Sequence, residues 1–557
     1  MPTPQPSAPI RFADFTPGIA DLPGMGYKPE TATRANTFRC IANRSGALVP
    51  LPRRQVPFAL PHDGTTPTEQ MAVNGLYVPP VSLLPAPATA AFTPDMFPEH
   101  ELFVGTERLT AGTRYHKLLR YRRFEAPSGT GYDTLKSVSF ADASTTFSPV
   151  GMTFAPTRSN RANYAQPGCP VTVILYAFGA TNMYLTEFPD DQNQSSLTPW
   201  DIYTNQFFLN CCSHQGRIVV QQATVYNHGP NTITFMGENL LWSWFNDLTV
   251  AHWGTWNGGD PTVPANFDNT PKVFIPENPS GFAFMVSMSA NEIFFVKTSH
   301  GGGYVSGSLD TGQVVSLPMV TGAEITHTPA VSPIGVVYGN RRSGVWVWTH
   351  GDVATLLSPQ MIPDFWVITQ GADLDDYGGN AYALASCDDW ILTPNNFLYD
   401  TTVKSWWRLE DPAVTNWRFV TSQWHYIYTA ASFFTNTADS PVSFFKREDL
   451  ADTFSWQSHP VWESVEDLVH VNDIGLIAEG NGEVTLTLTA LNGDTNSITI
   501  PLENCGFPER FRERLSIQGK YLQLRIESSS PNAFYPAPTV YSVTLYPYTE
   551  APIGHMQ

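Results

Sequence analysis

Charged side chains are scarce in this chain, at 15% of its 557 residues. An average globular protein carries about a quarter. Helical proteins cover their surfaces with Glu, Lys and Arg, and here Ser, Thr, Asn, Gly and Pro take that place. The 47 Pro and 40 Gly favour many turns over long helices. The composition therefore predicts an all-β fold built from short strands.

Long apolar runs and paired cysteines are also missing. No stretch of about 18 apolar residues occurs, so no membrane-spanning helix is predicted. The start of the chain lacks the basic and apolar regions of a signal peptide. The six Cys form no C-x-x-C pair, and the adjacent Cys211 and Cys212 are poor disulfide partners for each other. We therefore expect buried thiols and assembly in a reducing compartment.

Positive charge is the rarer sign, with 31 Lys and Arg against 50 Asp and Glu and a net charge of −19. A protein that grips a phosphate backbone neutralises it with basic side chains, so this balance argues against DNA binding by the protein as a whole. An acidic wall would instead let DNA slide past it without sticking.

Motifs of enzyme chemistry are absent as well. The chain has no G-x-S-x-G, Walker A or Rossmann fingerprint, and its 13 His do not cluster at metal-ligand spacing. Adjacent carboxylates occur at 190–191, 375–376 and 388–389, but neighbouring residues in a turn do not face each other across a sugar. These absences predict no catalytic residue, no cofactor, no metal and no enzymatic activity.

Two partial motifs leave alternatives open. Residues 308–312 match the first five positions of the Asp-box turn of sialidases, which keeps a sialidase-like hydrolase as the enzyme alternative. Residues 373–384 resemble a calcium loop, but Tyr377 and Leu384 stand where oxygen ligands should be, which favours a plain turn.

Short strands separated by Gly, Asn and Asp turns repeat along residues 56–455. Taking Tyr304, Val345, Phe397 and Val442 as equivalent third strands gives spacings of 41, 52 and 45 residues. This period is typical of the four-stranded blades of a β-propeller. We predict a propeller of six or seven blades over 56–455, with an array of β-sandwiches as the alternative.

The two ends of the chain differ from this repeat. Residues 1–55 are rich in Pro and predict an extended N-terminal arm, which needs another surface in the same subunit or a neighbour. Residues 456–557 contain the alternating run 484–489, followed by Asn492 and Gly493 of a hairpin turn. We expect a C-terminal β-sandwich-like domain over this range.

Two basic segments stand out in so acidic a chain. Both place basic side chains at alternate positions of a predicted strand, and aromatic residues lie between them. Such a pattern can track single-stranded nucleic acid, but we favour a contact with a protein neighbour, with a solvated face as the alternative for the second segment. The candidate interface residues are Arg114, His116, Arg120, Arg122, Arg510, Arg512 and Arg514.

Three segments carry a resemblance to a known family. They are residues 15–19 (FTPGI), the stretch from Asn36 to Pro52 with its "Cys…Gly-x-Leu-x-Pro-Leu-Pro" pattern, and residues 519–527 (GKYLQLRIE). Together they resemble the tail nozzle, or tail hub, proteins of bacteriophages, which include packaged-DNA stabilisation proteins.

The resemblance implies a structural role in the virion tail, after assembly in the bacterial host cytoplasm. It implies a homohexameric ring around a DNA exit channel, which retains DNA and then passes it during ejection without binding it specifically. Portal adaptor or tail tube proteins, and tail fibres, would be its partners. The alternative is a propeller-type glycan-binding or glycan-cleaving tail or surface protein, in keeping with 15 Trp and 22 Tyr.

Overall fold

A computed structural model gives the fold of most of the chain. The residues that it describes are 5–6, 8–21, 28–59, 70–77, 98–110, 113–126, 129–140, 149–151, 154–158, 170–178, 183–188, 207–215, 217–227, 233–242, 272–274, 282–297, 300–307, 313–323, 326–351, 353–367, 382–411, 419–423, 426–430, 441–461 and 469–549. Between 56 and 282 the described side chains are those of Leu76, Leu102, Val104, Cys212, His214, Gln215 and Val219.

The described residues form 39 strands and no helix. The all-β prediction is therefore confirmed over this part of the chain. Four short strands come first. They are β1 (Gln5–Pro6), β2 (Ile10–Phe12), β3 (Cys40–Ala42) and β4 (Leu48–Pro50).

The middle of the chain forms a series of four-stranded antiparallel sheets. The strands of the first half are β5 (Pro52–Ala59), β6 (Gln70–Tyr77), β7 (Pro98–Thr110), β8 (Thr113–Ala126), β9 (Gly129–Phe140), β10 (Pro149–Gly151), β11 (Phe154–Arg158), β12 (Pro170–Phe178), β13 (Met183–Phe188), β14 (Phe207–His214), β15 (Arg217–Asn227), β16 (Ile233–Trp242) and β17 (Lys272–Phe274). They give the sheets β6–β9, β10–β13 and β14–β17.

The same scheme continues through the second half of this region. Its strands are β18 (Phe282–Ser289), β19 (Glu292–Lys297), β20 (His300–Ser306), β21 (Gln313–Thr321), β22 (Thr326–Thr328), β23 (Ala330–Ser332), β24 (Gly335–Asn340), β25 (Gly344–Trp348), β26 (Thr355–Leu356), β27 (Tyr382–Ala383), β28 (Ala385–Cys387), β29 (Trp390–Leu392), β30 (Phe397–Asp400), β31 (Ser405–Arg408), β32 (Phe419–Gln423), β33 (Tyr426–Ala430) and β34 (Pro441–Leu450). Strands β18–β21, β23–β26 and β28–β31 each pair in chain order, and β22 pairs with β27.

The residues chosen from sequence as equivalent third strands hold equivalent positions. Tyr304, Val345, Phe397 and Val442 lie in β20, β25, β30 and β34, and each of these strands is the third of its four-stranded run. The repeat read from the sequence is therefore present in the strand pairing.

The sheet that contains β34 takes its fourth strand from the start of the chain. Its order is β32-β33-β34-β5, with Val442 opposite Phe58 and Phe445 opposite Arg54. The run of four-stranded sheets is thus joined at its end to the strand that precedes it. Strand β32 also contacts strands β28 and β6, which belong to two other sheets.

The last five strands, β35 (Thr453–Gln457), β36 (Val469–Ala490), β37 (Thr495–Gly519), β38 (Leu522–Ser529) and β39 (Thr539–Thr549), belong to one 13-stranded sheet. Its main order is β28-β29-β30-β31-β3-β4-β39-β36-β38-β35, while β1 and β2 pair with β39, and β37 pairs with β36. The β28–β31 run is therefore continuous with the C-terminal strands through β3 and β4.

Strands β36 and β37 form a long hairpin that bends in its middle. The first half of β36 pairs with β39 and the second half with β38. At the bend Gly482 has φ 144, and a Cβ there would meet the Ser529 carbonyl oxygen at 2.1 Å, so only glycine fits. Asn496 lies at the beginning of β37 and Ser516 near its end. The side-chain amide of Asn496 donates to the Ser516 carbonyl at 2.8 Å, so the hairpin folds back on itself.

The N-terminal segment packs on this sheet of its own chain. Phe12 and Phe15 are fully buried, and their rings lie 6.0 and 5.0 Å from the ring of Trp456. Strand β2 pairs with β39, and the Ile19 amide donates to the Trp406 carbonyl at 2.8 Å. The Pro-rich arm was expected to need another surface, and the same subunit provides it. The domain boundaries 1–55, 56–455 and 456–557 stay a prediction.

Candidate functional site

The first basic segment lies on β8, a central strand of the sheet β6–β9. Its register places His116 opposite Glu107, and Arg122 opposite both Glu101 and Asp133. The side chains of Arg114, His116, Arg120 and Arg122 lie outside the described residues. Their part in an interface stays a prediction.

The second basic segment lies on β37, which pairs with β36 along one side. Arg510, Arg512 and Arg514 are exposed and, at alternate positions of the strand, share one face. Arg512 donates to Asp473 at 2.9 Å, and its guanidinium lies 4.4 Å from the centroid of the Tyr546 ring.

A fourth arginine joins them from the start of the chain. Gly475 of β36 lies opposite both Arg512 and Thr544, and Thr544 lies opposite Arg11 of β2. Directly opposed residues of antiparallel strands share a face, so Arg11, which is exposed, lies on the same side of the sheet. We call Arg11, Arg510, Arg512 and Arg514 the basic face. Sequence reasoning missed Arg11, because only the long-range register brings it there.

A carboxylate pair singled out in the sequence binds an arginine. Arg447 donates to Asp388 at 2.6 Å and also to Asp389, and its guanidinium lies 4.2 Å from the centroid of the Trp390 ring. Burial raises the pKa of Asp389, but the hydrogen bond and the charge of Arg447 outweigh it, so the pKa is lowered. A carboxyl held ionised in this way is poorly suited to donate a proton. The pairs 190–191 and 375–376 lie outside the described residues, as do 308–312 and the Tyr377 part of the calcium-like loop.

A second ion pair is more deeply buried. Glu410 is 0% exposed and accepts from Arg39 Nε at 2.6 Å and from the Asp411 backbone amide at 2.9 Å. Arg39 also donates to Thr453 at 3.2 Å. The pair thus ties three segments, the start of β3, the end of β31 and the start of β35. Its place inside the large sheet indicates a structural role.

An open cavity of about 670 Å³ lies where the two ends of β37 meet. Its lining is rich in side-chain amides and hydroxyls, and it includes one carboxylate and one ammonium group. The lining residues are Leu491, Asn492, Asp494, Thr495, Asn496, Ser516, Ile517, Gln518, Gly519 and Lys520. Such groups can hydrogen-bond to a polar ligand.

The remaining observations, on metal ligands, thiols and membrane-spanning helices, apply to the described part of the chain only. There, no group of three or more His, Cys, Asp or Glu side chains is placed to hold a metal ion. Cys40, Cys212 and Cys387 are buried thiols, and burial raises the pKa of Cys387 to about 12. Within the same ranges, no helix is long and apolar enough to cross a membrane.

Comparisons with known proteins give a likeness of fold alone. No protein-family model matches the chain, and no curated protein matches it. Among solved structures it is similar to the exo-beta-1,3-galactanase of Phanerochaete chrysosporium with galactose, at 9% identity and a TM-score of 0.18, covering 89% of this chain and 100% of that one. A puromycin hydrolase is similar at 12% identity and a TM-score of 0.35, over 76% of this chain and 60% of that one. The structure of YCF48 bound to D1 peptide is similar at 10% identity and a TM-score of 0.27, over 68% of this chain and 98% of that one.

These comparisons contradict the prediction that the chain is not an enzyme, because the similar structures include a galactanase and a hydrolase. That prediction was wrong in its reasoning. It treated the lack of a local motif as the lack of catalysis, although catalytic groups can come from separate strands and loops that no local motif records. With all three TM-scores below 0.5, the likeness assigns no reaction and no residue to this chain.

Proposed function

We propose that the four-stranded runs form a β-propeller of seven blades. The blades would be β6–β9, β10–β13, β14–β17, β18–β21, β23–β26, β28–β31, and β32–β34 with β5. Contacts between the leading strands of successive runs support this arrangement, as between β14 and β18, β23 and β28, or β32 and β6. The pairing of β5 with β34 supports closure, because it ties the two ends of the series together.

We further propose that the protein is a structural subunit of a bacteriophage tail, which forms a ring at the DNA exit channel. The observation that carries this proposal is the spatial grouping of the segments that resemble tail nozzle proteins. Strands β3 and β4, from the second segment, and β38, from the third, belong to the 13-stranded sheet. Phe15, from the first segment, packs on Trp456 of β35 in the same sheet.

A rigid wall suits such a ring. The large sheet joins one propeller blade to the C-terminal strands without a break, so the two parts would move as one body under the load of packaged DNA. The net charge of −19 would disfavour static contacts with phosphate at the channel wall. Portal adaptor or tail tube proteins, and tail fibres, are the partners proposed for the ends of the ring.

The test is the mass and shape of the purified chain. Mass photometry and class averages of negatively stained particles should reveal closed rings, with six subunits as the expected number. A chain that stays monomeric at all concentrations, both alone and with portal adaptor protein, would contradict the proposal.

Glycan binding is the second candidate function, and the cavity at the ends of β37 is the observation that favours it. The side chains of Asn492, Gln518 and Ser516 there can hydrogen-bond to sugar hydroxyls. A glycan array followed by calorimetry would test it. Asn492→Ala with Gln518→Ala should abolish any binding found, and Thr487→Ala, outside the cavity lining, should leave that binding unchanged. Release of reducing sugar in the same assay would show cleavage in addition to binding.

A further inference from the structure

The basic face is an exposed group of like charges on a strongly acidic chain. Arg11, Arg510 and Arg514 form no ion pair with any described residue, while Arg512 is held by Asp473. Three of the four stand at alternate positions of β37, about 6.7 Å apart along the strand. Like charges at this spacing repel one another, so the face is more stable when a surface of opposite charge covers it.

Because all four side chains of the basic face are arginines, the surface that covers them is expected to carry carboxylates. The planar guanidinium binds a carboxylate through two parallel hydrogen bonds, which a lysine cannot do. The chain has a net charge of −19 although the basic face contributes four positive charges, so the rest of the molecule is strongly acidic. Another copy of the same chain therefore offers the complementary charge.

We propose that the basic face docks on a carboxylate-rich surface of a second copy of this chain, in a head-to-tail contact. This inference rests on the ring proposed above and names the surface that builds it. Because one patch meets a different patch on the next copy, the contact repeats around a closed ring.

A symmetric contact through the same edge is disfavoured by the charges. When two copies of β37 pair antiparallel about a two-fold axis, residues on the same face lie opposite each other. In any register where the three arginines of one copy overlap those of the other, an arginine of the first copy therefore lies opposite an arginine of the second. The pattern protects the edge against self-pairing and leaves it open to an acidic partner.

Nucleic acid fits the face less well. Double-stranded DNA carries one negative charge per about 1.7 Å of its axis, and the −19 of the chain opposes its approach. Asp473 also lies among the arginines, 2.9 Å from Arg512, where it would repel a phosphate.

The experiment reverses the charge at Arg510 and Arg514 in the full chain. We expect the double variant Arg510→Glu/Arg514→Glu to raise the concentration at which half the chains are assembled by at least about tenfold. The matched control is Arg44→Glu/Arg341→Glu, which changes the net charge equally at two exposed arginines in turns and should assemble like the wild type. Arg510→Gln/Arg514→Gln should give an intermediate shift. Circular dichroism and the thermal midpoint would verify that each variant is folded.

A second measurement identifies the partner surface. In Arg510→Lys/Arg514→Lys, a carbodiimide should couple the new amines to carboxyls of the neighbouring copy, and mixed light and heavy isotope labelling would mark the links as intersubunit. If the reversed-charge variant assembles as the wild type does, this inference fails and the ring stands. If the wild type is monomeric, both fail. Loss of DNA binding in the variant with assembly intact would assign the face to nucleic acid and overturn the contact proposed here.

Discussion

The four-stranded sheets and the large sheet draw their strands from very different distances along the chain. In β18–β21 each strand pairs with the next one in sequence. In the large sheet Cys40 lies opposite Arg408, and Leu48 lies opposite Val540. The strands of the first kind of sheet are joined by local turns, whereas the second kind also depends on strand pairs and buried contacts between residues several hundred positions apart.

This difference teaches where single changes should matter most. A local sheet can lose one contact and keep its strands together through its turns. The large sheet has no such turns between β31 and β3, or between β4 and β39, so long-range strand pairing and buried side chains together hold these strands in place. Variants in the large sheet should therefore release distant segments of the chain.

The largest effect is expected for Trp456→Ala. Removing this ring deprives Phe12 and Phe15 of their buried partner and should cost about 3–5 kcal/mol of unfolding free energy. Limited proteolysis should then cut the N-terminal segment faster than in the wild type. Trp348→Ala, which empties an equally buried site in a local sheet, is the matched control. It should cost a similar free energy without speeding that cleavage, and equal cleavage in both variants would contradict the comparison.

The buried ion pair should give an effect of similar size. Arg39→Met leaves the Glu410 carboxylate buried without its cation, and we expect a loss of about 3–5 kcal/mol in denaturant unfolding. Arg39→Met/Glu410→Leu should recover most of that loss, because neither charge of the pair then remains. Arg447→Met breaks the partly exposed pairs with Asp388 and Asp389 and should cost only about 0–1 kcal/mol. A larger loss for Arg447→Met than for Arg39→Met would reverse the ranking.

Local signals explain what the sequence could predict. The third-strand positions Tyr304, Val345, Phe397 and Val442 follow from periodicity, and the turn at Gly493, with φ 89, follows from the Asn-Gly dipeptide. Sequence reasoning also indicated that the Pro-rich start needs a surface. It could not identify that surface, since the contact of Phe15 with Trp456 is set by long-range packing.

The candidate sites divide in the same way. Arg510, Arg512 and Arg514 are visible as a local alternation of charge. Their neighbour Arg11 and the pair of Arg39 with Glu410, 371 residues apart, depend on the register of the large sheet. No local pattern records such a register, so these contacts require the folded structure. The prediction that the chain is not an enzyme was wrong for the same reason, because catalytic groups need not be neighbours in sequence.

The bend of the β36–β37 hairpin should tolerate less change than its turn. Gly482→Ala forces a Cβ to within 2.1 Å of the Ser529 carbonyl at φ 144, so the strand must shift, at a cost of about 2–3 kcal/mol. Gly493→Ala has φ 89 but open space around it, and should cost about 1 kcal/mol. Thermal unfolding of both variants would measure the difference. Equal costs would mean that the bend is not closely packed.

The smallest effect concerns pH and the Arg447 pair that joins β34 to the β28–β29 turn. The pKa of Asp389 is lowered in the folded chain from its ordinary value of 3.8. Its contribution to stability is therefore fully present above the unfolded pKa and is lost as the pH falls through the lower, folded pKa. The side chain is 36% exposed, so solvent screening limits the contribution to about 0–1 kcal/mol. Asp389→Asn should lower the free energy of unfolding by this small amount at pH 7, and wild type and variant should converge as the pH falls below 3.8. Urea titrations at several pH values would measure both curves. A gap that widens in acid would mean that Asp389 stabilises the fold in its protonated form, contrary to the geometry of its contact with Arg447.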